Sequence, residues 1–576
     1  MGLFSRSDHS NQEGGDSHPL EPAETSEESS AATDSHSAPS KTTTSTSPPK
    51  YGAADIHEDD TSYGSRHSED SNDESAPLLI SAEDPAVNPF KYFKIRTMRR
   101  ISLLFLVFSS IMYFLFIIST FFTIPKLNTY GGNFYVMMNM LIAIGNLAIS
   151  LQVFAIPSKS GRVINFIMIG FLFLSFIFTV SVNKLRHYEG TVLGILVNLW
   201  VILTAAWVLA CNYAVERSRI SLEEIISGRR NGTGSRAQRS CRMWISVLWG
   251  FVVLSLILAV VILVTLSLAV DSYDSRISPP GEYVEVEDNL YRIHIYCNRP
   301  QQNVNDTIPE PTILLEPGST SAEIFAREWA EREVNDDGST ISGMRYCYWD
   351  RPGIAFSDNA PSPMSAGMAI DALSDGLNKL GENGPWILVS HGVGGIYSRI
   401  FASRHAGDVY GLVLVDTYNT EYFTDNVGSS GRGFGYWLHG LIAPLGIDKQ
   451  IGWIFGGRTS EDRIFGRSQS TSGKYDLAKF QEQVAARTFT KNEILAASEI
   501  LPRDTPIAII SSQRMIESEP GWADYQRELS LLSDRLVTWD IIEAFHDVWK
   551  ADEGRRAISQ AVANVRLMSF TMDDIN

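Results

Sequence analysis

Five long apolar stretches constrain this chain more than any other feature of its sequence. None of them contains Asp, Glu, Lys, Arg or His, and each is long enough to cross the hydrocarbon core of a bilayer as an α-helix. The predicted spans are residues 101–124, 134–156, 163–182, 192–214 and 244–270. Buried helices of soluble proteins are rarely apolar on all sides over this length. The sequence therefore predicts a multi-span α-helical membrane bundle, with residues 91–271 as the transmembrane region.

The distribution of basic residues predicts the orientation of the spans. Lys and Arg are concentrated in residues 91–100, 159–162 and 217–242, which fall on one side of the membrane if there are five spans. Segments enriched in Lys and Arg near the spans are typical of the cytosolic side. We therefore expect a cytosolic N-terminus and a lumenal or extracellular C-terminal region. Asn305 begins a glycosylation sequence, Asn-Asp-Thr, in that C-terminal region.

The acidity of the chain belongs to its N-terminal segment. Residues 1–90 contain 18 Asp and Glu but only 4 Lys and Arg, a net charge of −14 out of −18 for the whole chain. This segment is rich in Ser and has few aliphatic residues, so it cannot bury enough apolar surface to offset its chain entropy. We predict a disordered cytosolic tail.

A short motif near the end of this tail bears on localisation. Glu74, Leu78 and Leu79 resemble the acidic dileucine signals that adaptor proteins bind on vacuolar or lysosomal membrane proteins, although a tail that merely becomes apolar near the membrane would look the same. We expect an integral protein of a vacuolar or lysosome-like membrane. The plasma membrane, the endoplasmic reticulum and the mitochondrial membranes remain alternatives.

After the last span, short apolar segments alternate with longer amphipathic ones. This alternation is typical of βαβ units around a mainly parallel sheet. The predicted strands lie at residues 283–286, 291–296, 312–315, 345–348, 386–389, 411–415, 507–510 and 536–541. The sequence therefore predicts an α/β domain over residues 282–566.

Four motifs in this domain resemble those of the α/β-hydrolases. They are residues 312–318 (TILLEPG), 345–358 (RYCYWDRPGIAFSD), 386–395 (WILVSHGVGG) and 412–416 (LVLVD), in the order and spacing of that family. The resemblance covers most of residues 282–566 and implies an eight-stranded sheet with a helical lid over about 418–505. We expect no cofactor, no metal and no nucleic-acid partner.

The same comparison reveals a departure at the nucleophile. The family's elbow between strand and helix reads G-x-S-x-G, with the nucleophilic serine at its apex. This chain reads Ser390-His391-Gly392-Val393-Gly394, so glycine occupies the apex. Glycine adopts the backbone angles of such a turn readily, but it has no oxygen or sulfur with which to form an acyl-enzyme. We expect a pseudo-hydrolase, with Ser390 as the alternative, displaced nucleophile.

The other catalytic positions are implied by the resemblance. His546 follows the last predicted strand, where the family carries its general base, and is expected to be a vestige or a base without its serine. The acid is open, because residues 511–515 contain no Asp and Asp416 after the sixth strand is the alternative. Gly318 and the backbone N–H of Val393 correspond to an oxyanion-like hole.

Two further features follow from the resemblance. The family's strand order makes the strands of Cys297 and Cys347 neighbours, so a disulfide is expected in an oxidising lumen. Within the lid, residues 434–445 are apolar and aromatic, suited either to packing on the domain or to touching the bilayer.

Three functions are compatible with these features. The first is a membrane-anchored, catalytically inactive hydrolase fold that binds a lipid, peptide or protein ligand in the lumen, and the second is an active esterase or lipase with a non-standard nucleophile. The third is a transporter or channel subunit, which the absence of ionisable residues from the spans disfavours. The whole arrangement also resembles fungal endomembrane proteins of uncharacterised function.

Overall fold

The computed structural model describes residue 90 and residues 92–154, 156–227, 241–299, 310–332 and 344–573. The predicted disordered tail, the sorting motif at Glu74, Leu78 and Leu79, and the glycosylation site at Asn305 lie outside these residues.

Five helices in the described part of the chain are long and apolar enough to cross a membrane. The helices of this region are α1 (Phe93–Phe121), α2 (Phe134–Gln152), α3 (Lys159–Ser181), the short α4 (Asn183–Tyr188), α5 (Val192–Ser227) and α6 (Cys241–Asp274). Several extend past the predicted apolar spans, because backbone hydrogen bonding continues where the side chains become polar. The 36 residues of α5 measure about 54 Å, longer than the roughly 30 Å of a hydrocarbon core.

Helix α2 is the most buried of the five, and α1, α5 and α6 pack against it. A hydrogen bond of 3.0 Å from the Tyr135 hydroxyl to Asn198 Oδ1 joins α2 to α5. Asn165 and Asn212 instead donate to carbonyl oxygens of their own helices. The bundle is therefore held together both by apolar packing and by hydrogen bonds between helices, which include two from tryptophans of α5 to serines of α1.

The C-terminal domain contains one eight-stranded sheet in its described residues. The strands are β1 (Glu282–Val286), β2 (Tyr291–Cys297), β3 (Thr312–Glu316), β4 (Tyr346–Asp350), β5 (Trp386–His391), β6 (Val409–Val415), β7 (Ile507–Ser512) and β8 (Leu536–Ile542). Their spatial order is β1-β2-β4-β3-β5-β6-β7-β8, with β2 antiparallel to both of its neighbours and all other pairs parallel. The predicted fold class, a membrane bundle followed by an α/β-hydrolase fold, is confirmed.

Helices cover both faces of this sheet and form the lid. They are α7 (Ala322–Phe325), α8 (Ala366–Leu380), α9 (Gly394–Arg404), α10 (Thr420–Tyr422), α11 (Ser430–Ile442), α12 (Ile447–Phe455), α13 (Ser460–Ile464), α14 (Gly473–Ala485), α15 (Lys491–Ile500), α16 (Gln513–Ser518), α17 (Trp522–Ser530) and α18 (Asp552–Asp573). One apolar core lies between the sheet and α8 and α9, and a second lies between the sheet and α7 and α18.

The lid helices α11 to α14 pack directly on the membrane bundle. Trp437 Nε1 donates to Thr120 Oγ1 on α1 at 3.1 Å. Lys449 on α12 forms an ion pair with Asp271 on α6, at 2.9 Å. The lid therefore links the α/β domain to the membrane helices.

Candidate functional site

The turn between β5 and α9 has the backbone of a nucleophile elbow without the nucleophile. Gly392 stands at its apex in the left-handed conformation, with φ of +53°. A Cβ atom added there would lie 3.1 Å from His546 Nε2 and 3.5 Å from Gly318 Cα. The missing side chain would therefore begin beside a histidine and beside the loop after β3.

His546 forms a dyad with Asp416. Its Nδ1 lies 2.7 Å from Asp416 Oδ2. The other carboxylate oxygen of Asp416 accepts hydrogen bonds from the Ser512 backbone N–H at 3.0 Å and from Trp522 Nε1 at 2.8 Å. Because these donors hold the fully buried carboxylate in place, it orients the imidazole. The structure thus brings Asp416, rather than any residue of 511–515, to the histidine.

Ser390 is not placed to substitute for the missing serine. It lies within β5, between β3 and β6, and is fully buried. Its Oγ atom has no hydrogen-bond partner among the described residues. A serine without contact to a base is not activated for nucleophilic attack.

His391 supports the turn rather than the chemistry. Its Nε2 donates to the His546 carbonyl oxygen at 3.0 Å, and burial lowers the pKa of His391 well below its usual value. A Cβ at Gly318 would lie only 2.6 Å from His391 Nδ1. Glycine is therefore required at position 318 for this loop to approach the elbow.

Arg351 fixes the loop that carries Gly318. Its guanidinium donates to the Gly318 carbonyl oxygen and is almost completely buried. It lies 3.8 Å from Glu482 and 4.0 Å from Glu316. Burial raises the pKa of Glu316 to about 8, although Arg351 opposes the shift. Arg351 is one of two arginines in the run at 345–358, and no role was predicted for it from the sequence.

A cavity of about 590 Å³ lies between the elbow and the lid. Ser319 and Val393 line its floor, and charged and aromatic lid residues line the rest. Two ion pairs lie in its lining. Lys479 contacts Glu482 at 2.6 Å, and His439 contacts Asp476 at 2.7 Å. Burial raises the pKa of Asp476 to about 6, with His439 opposing the shift. These lid residues were not predicted individually, because the lid has no motif that marks them.

Cys297 and Cys347 form a disulfide between the adjacent strands β2 and β4. Together with Glu382 they also make up the grouping of three potential metal ligands in the described residues. Cysteines joined in a disulfide offer no thiolate to a metal ion. The grouping is therefore a structural bridge and not a metal centre.

The strand order and the elbow define the class of this protein: a membrane protein with an α/β-hydrolase fold whose nucleophile position is a glycine. Residues 57–297 match the family described as region of unknown function (DUF2417). The chain is 29% identical over 505 residues to an uncharacterized protein of Schizosaccharomyces pombe, covering 83% of this chain and 92% of that protein. It is 25% identical over 315 residues to an uncharacterized vacuolar membrane protein of Saccharomyces cerevisiae, covering 47% and 48%. These fungal relatives confirm the resemblance to endomembrane proteins of uncharacterised function.

The chain is also similar to solved structures. The enol-lactonase of Burkholderia xenovorans is 15% identical with a TM-score of 0.34, covering 49% of this chain and 99% of the lactonase. The juvenile hormone epoxide hydrolase of the silkworm Bombyx mori is 15% identical with a TM-score of 0.34, covering 48% and 74%.

Proposed function

We propose that this protein is an integral protein of the vacuolar membrane whose lumenal α/β-hydrolase-fold domain binds a ligand without covalent catalysis. The observation that carries this proposal is the glycine at position 392, at the apex of an otherwise complete elbow. An acyl-enzyme needs an oxygen or sulfur at that apex.

The remaining parts of the site favour binding. Arg351 holds the Gly318 loop, and the cavity above the elbow is large enough for a small organic molecule. The charged pairs Lys479–Glu482 and His439–Asp476 favour a ligand with polar groups over a bare alkyl chain. The ligand would therefore occupy the cleft of a former hydrolase and dissociate unchanged.

The placement of the domain is supported by several observations. A relative carries the description vacuolar membrane protein. The basic segments flanking the helices favour a cytosolic N-terminus and a lumenal domain. The disulfide between Cys297 and Cys347 fits an oxidising compartment.

The lid is proposed to lie partly within the lumenal leaflet. The apolar residues Phe434, Leu438 and Ile442 are exposed along one face of α11, and Ile447, Ile451, Ile454 and Phe455 are exposed along α12. The Gln450 side chain on α12 donates to the carbonyl oxygen of Leu263 on α6 at 3.1 Å. From Leu263 to the end of the apolar span at residue 270 is about 10 Å along the helix. Helix α12 therefore reaches into the depth range of hydrocarbon, where its exposed apolar face is stable.

Spin labelling in nanodiscs tests this lid placement. A label on Ile454→Cys, with the free cysteines Cys211 and Cys241 replaced, is expected to collide more often with oxygen than with a water-soluble nickel chelate, because oxygen partitions into hydrocarbon. The matched control is Asp524→Cys on α17, which is not part of the lid. The Asp524 side chain is 80% exposed. Equal preference for the nickel chelate at both positions would exclude the insertion of α12.

A fluorophosphonate probe tests the proposed lack of covalent catalysis. The full-length protein in nanodiscs is expected to remain unlabelled, because the described elbow offers no activated hydroxyl. Labelling that disappears in Ser390→Ala would contradict the proposal and support an active hydrolase with a displaced nucleophile.

The preserved dyad supports a second candidate, hydrolysis by a water molecule held beside His546. The position of the missing Cβ lies 3.1 Å from His546 Nε2, within the reach of a general base for a bound water. A panel of chromogenic esters distinguishes the two candidates. Turnover lost in His546→Ala but retained in Ser390→Ala, without fluorophosphonate labelling, would favour water as the nucleophile over a pure binding role.

A further inference from the structure

A second cavity of about 150 Å³ lies where the membrane helices meet the lid and the loop after β4. Its walls include Lys184 on α4, Glu189 before α5, Asp271 and Asp274 at the end of α6, and Lys474 on the lid helix α14. Of the residues that line the cleft above the elbow, only Tyr475 also lines this cavity. It is a separate site, and it is built from charged residues.

Some of these charges are already paired. Lys449 contacts both carboxylate oxygens of Asp271, at 2.9 and 3.1 Å. Arg463 forms a two-pronged ion pair with Asp274, in which Nε lies 2.7 Å from Oδ2. These two pairs hold the lid on α6, so their charges are not available to a ligand.

Two lysines in the cavity form no ion pair and no hydrogen bond with a carboxylate among the described residues. Lys474 Nζ donates only to backbone carbonyl oxygens, those of Ala355 and Ser357. Lys184 Nζ makes no hydrogen bond to the described residues and lies 5.5 Å from the centroid of the Phe356 ring. An anionic group in the cavity would complement both ammonium groups.

Two acceptors in the cavity lack donors. Gln469 is 5% exposed, and its Oε1 atom has no hydrogen-bond partner in the described structure. Glu189 Oε2 is likewise buried without a partner. Buried polar atoms in native proteins are nearly always hydrogen-bonded, so both oxygens indicate a missing donor.

The titration of the site agrees with its geometry. Burial raises the pKa of Glu189 to about 7, with Asp271 adding to the shift and Lys449 opposing it. Burial lowers the pKa of Lys474 to about 7, and the neighbouring Lys184 adds to this shift. Burial thus disfavours the charged form of both groups, and a ligand that brings the opposite charge to each would favour their ionised forms.

We propose that this cavity binds a small zwitterion with an anionic group and a primary ammonium group. The anion would lie against Lys184 and Lys474, and the ammonium N–H groups would donate to Glu189 and Gln469. The cavity holds the equivalent of about five waters, the size of a small amino acid or of an aminophospholipid headgroup. This site does not depend on whether the cleft above the elbow is catalytic.

The test uses the full-length protein in phosphatidylcholine nanodiscs, with free serine as the soluble probe and discs containing phosphatidylserine as the lipid probe. Phosphatidylcholine is the matched negative, because its quaternary ammonium has no N–H to donate. We expect one of the two probes to raise the thermal unfolding midpoint, whereas acetate or methylammonium alone does not. Free serine acting in phosphatidylcholine discs identifies a soluble ligand, and an effect only of phosphatidylserine identifies a headgroup. If neither probe raises the unfolding midpoint, the proposal is overturned. The cavity would then hold ordered water only.

Two variants tie binding to the cavity. Lys184→Met and Gln469→Leu are each expected to weaken binding of the active probe at least about tenfold, while Arg514→Gln, at an exposed position outside both cavities, leaves it unchanged. Gln469→Leu removes an unpartnered oxygen, so its unfolding midpoint without probe is expected to match or exceed that of the wild type. The Gln469→Leu variant therefore tests whether the probe binds in this cavity even if Lys184→Met does not fold. Wild-type affinity in a folded Gln469→Leu protein would overturn the proposal.

Discussion

Replacing Gly392 with serine is expected to convert a protein that a fluorophosphonate does not label into one that it labels to near completion. The new side chain would begin 3.1 Å from His546 Nε2, whose other nitrogen is held by Asp416 at 2.7 Å. The hydroxyl would then face a general base that is already oriented, which is the arrangement that activates serine.

The substitution also has a structural cost. The Cβ contact with His546 is tight, so the imidazole must move by a few tenths of an ångström. A non-glycine residue in the left-handed region costs about 1–3 kcal/mol, and φ at this position is +53°. We therefore expect the unfolding midpoint to fall, and Gly392→Ala serves as the control that carries the same strain without the hydroxyl.

The double variant Gly392→Ser/His546→Ala isolates the role of the base. It is expected to remain unlabelled, because the serine hydroxyl would have no proton acceptor. A folded Gly392→Ser protein that resists the probe would show that the cleft is not a disarmed hydrolase site, and the proposed function would lose its main support.

Replacing Arg463 with methionine is expected to detach the lid from the membrane bundle. The ion pair between Arg463 and Asp274 is buried, with side chains only 4% and 7% exposed. Removal of one partner of a buried pair leaves an uncompensated charge and costs about 3–5 kcal/mol. We expect a fall of the apparent unfolding midpoint on the order of 5 °C or more, measured in detergent or nanodiscs, and faster proteolysis of the lid.

An exposed ion pair provides the matched control for this prediction. Arg514 and Glu543 lie 3.7 Å apart, but their side chains are 54% and 72% exposed. Arg514→Met is expected to leave the midpoint nearly unchanged, because exposed pairs contribute little. The double variant Arg463→Met/Asp274→Asn removes the unpaired charge and is expected to recover part of the loss. Equal midpoints for Arg463→Met and Arg514→Met would mean that the buried pair does not hold the lid.

The two ion pairs between α6 and the lid have a functional consequence. Asp271 and Asp274 hold lid helices α12 and α13, whereas α11 and α14 of the same lid line the cleft above the elbow. A ligand in the charged cavity beside these pairs would contact lid helix α14, which also lines the cleft. Occupancy of one cavity is therefore expected to change affinity in the other, by the reciprocity of linked binding equilibria.

Local patterns sufficed for much of the fold. The apolar spans predicted the membrane helices, because a run of apolar residues cannot be solvated by water over the length of a bilayer. The strand motifs predicted the sheet, because fully buried parallel strands read as short apolar runs between turns. The predicted strand at 345–348 is displaced in the structure to Tyr346–Asp350, since the pairing partners on β2 and β3 set its ends.

The candidate site was only partly predictable. The glycine at position 392 is visible in the sequence, because the elbow is a short contiguous motif. The acid partner of His546 was left open, because residues 511–515 contain no Asp and Asp416 was only an alternative location. Only the packing of β6 and β7 against the turn after β8 brings Asp416 to His546. The two residues are 130 positions apart in the chain.

By itself, the sequence determined the apolar spans, the α/β character of the domain and the glycine at the apex of the elbow, because each depends on residues close together along the chain. Only the tertiary structure decided the Asp416–His546 dyad, the docking of the lid on α6 and the charged cavity beside it. Arg463 and Asp274 are 189 positions apart, and no local pattern relates them. Their pairing follows from burial, because two charges removed from water are stable only when packing brings them into contact.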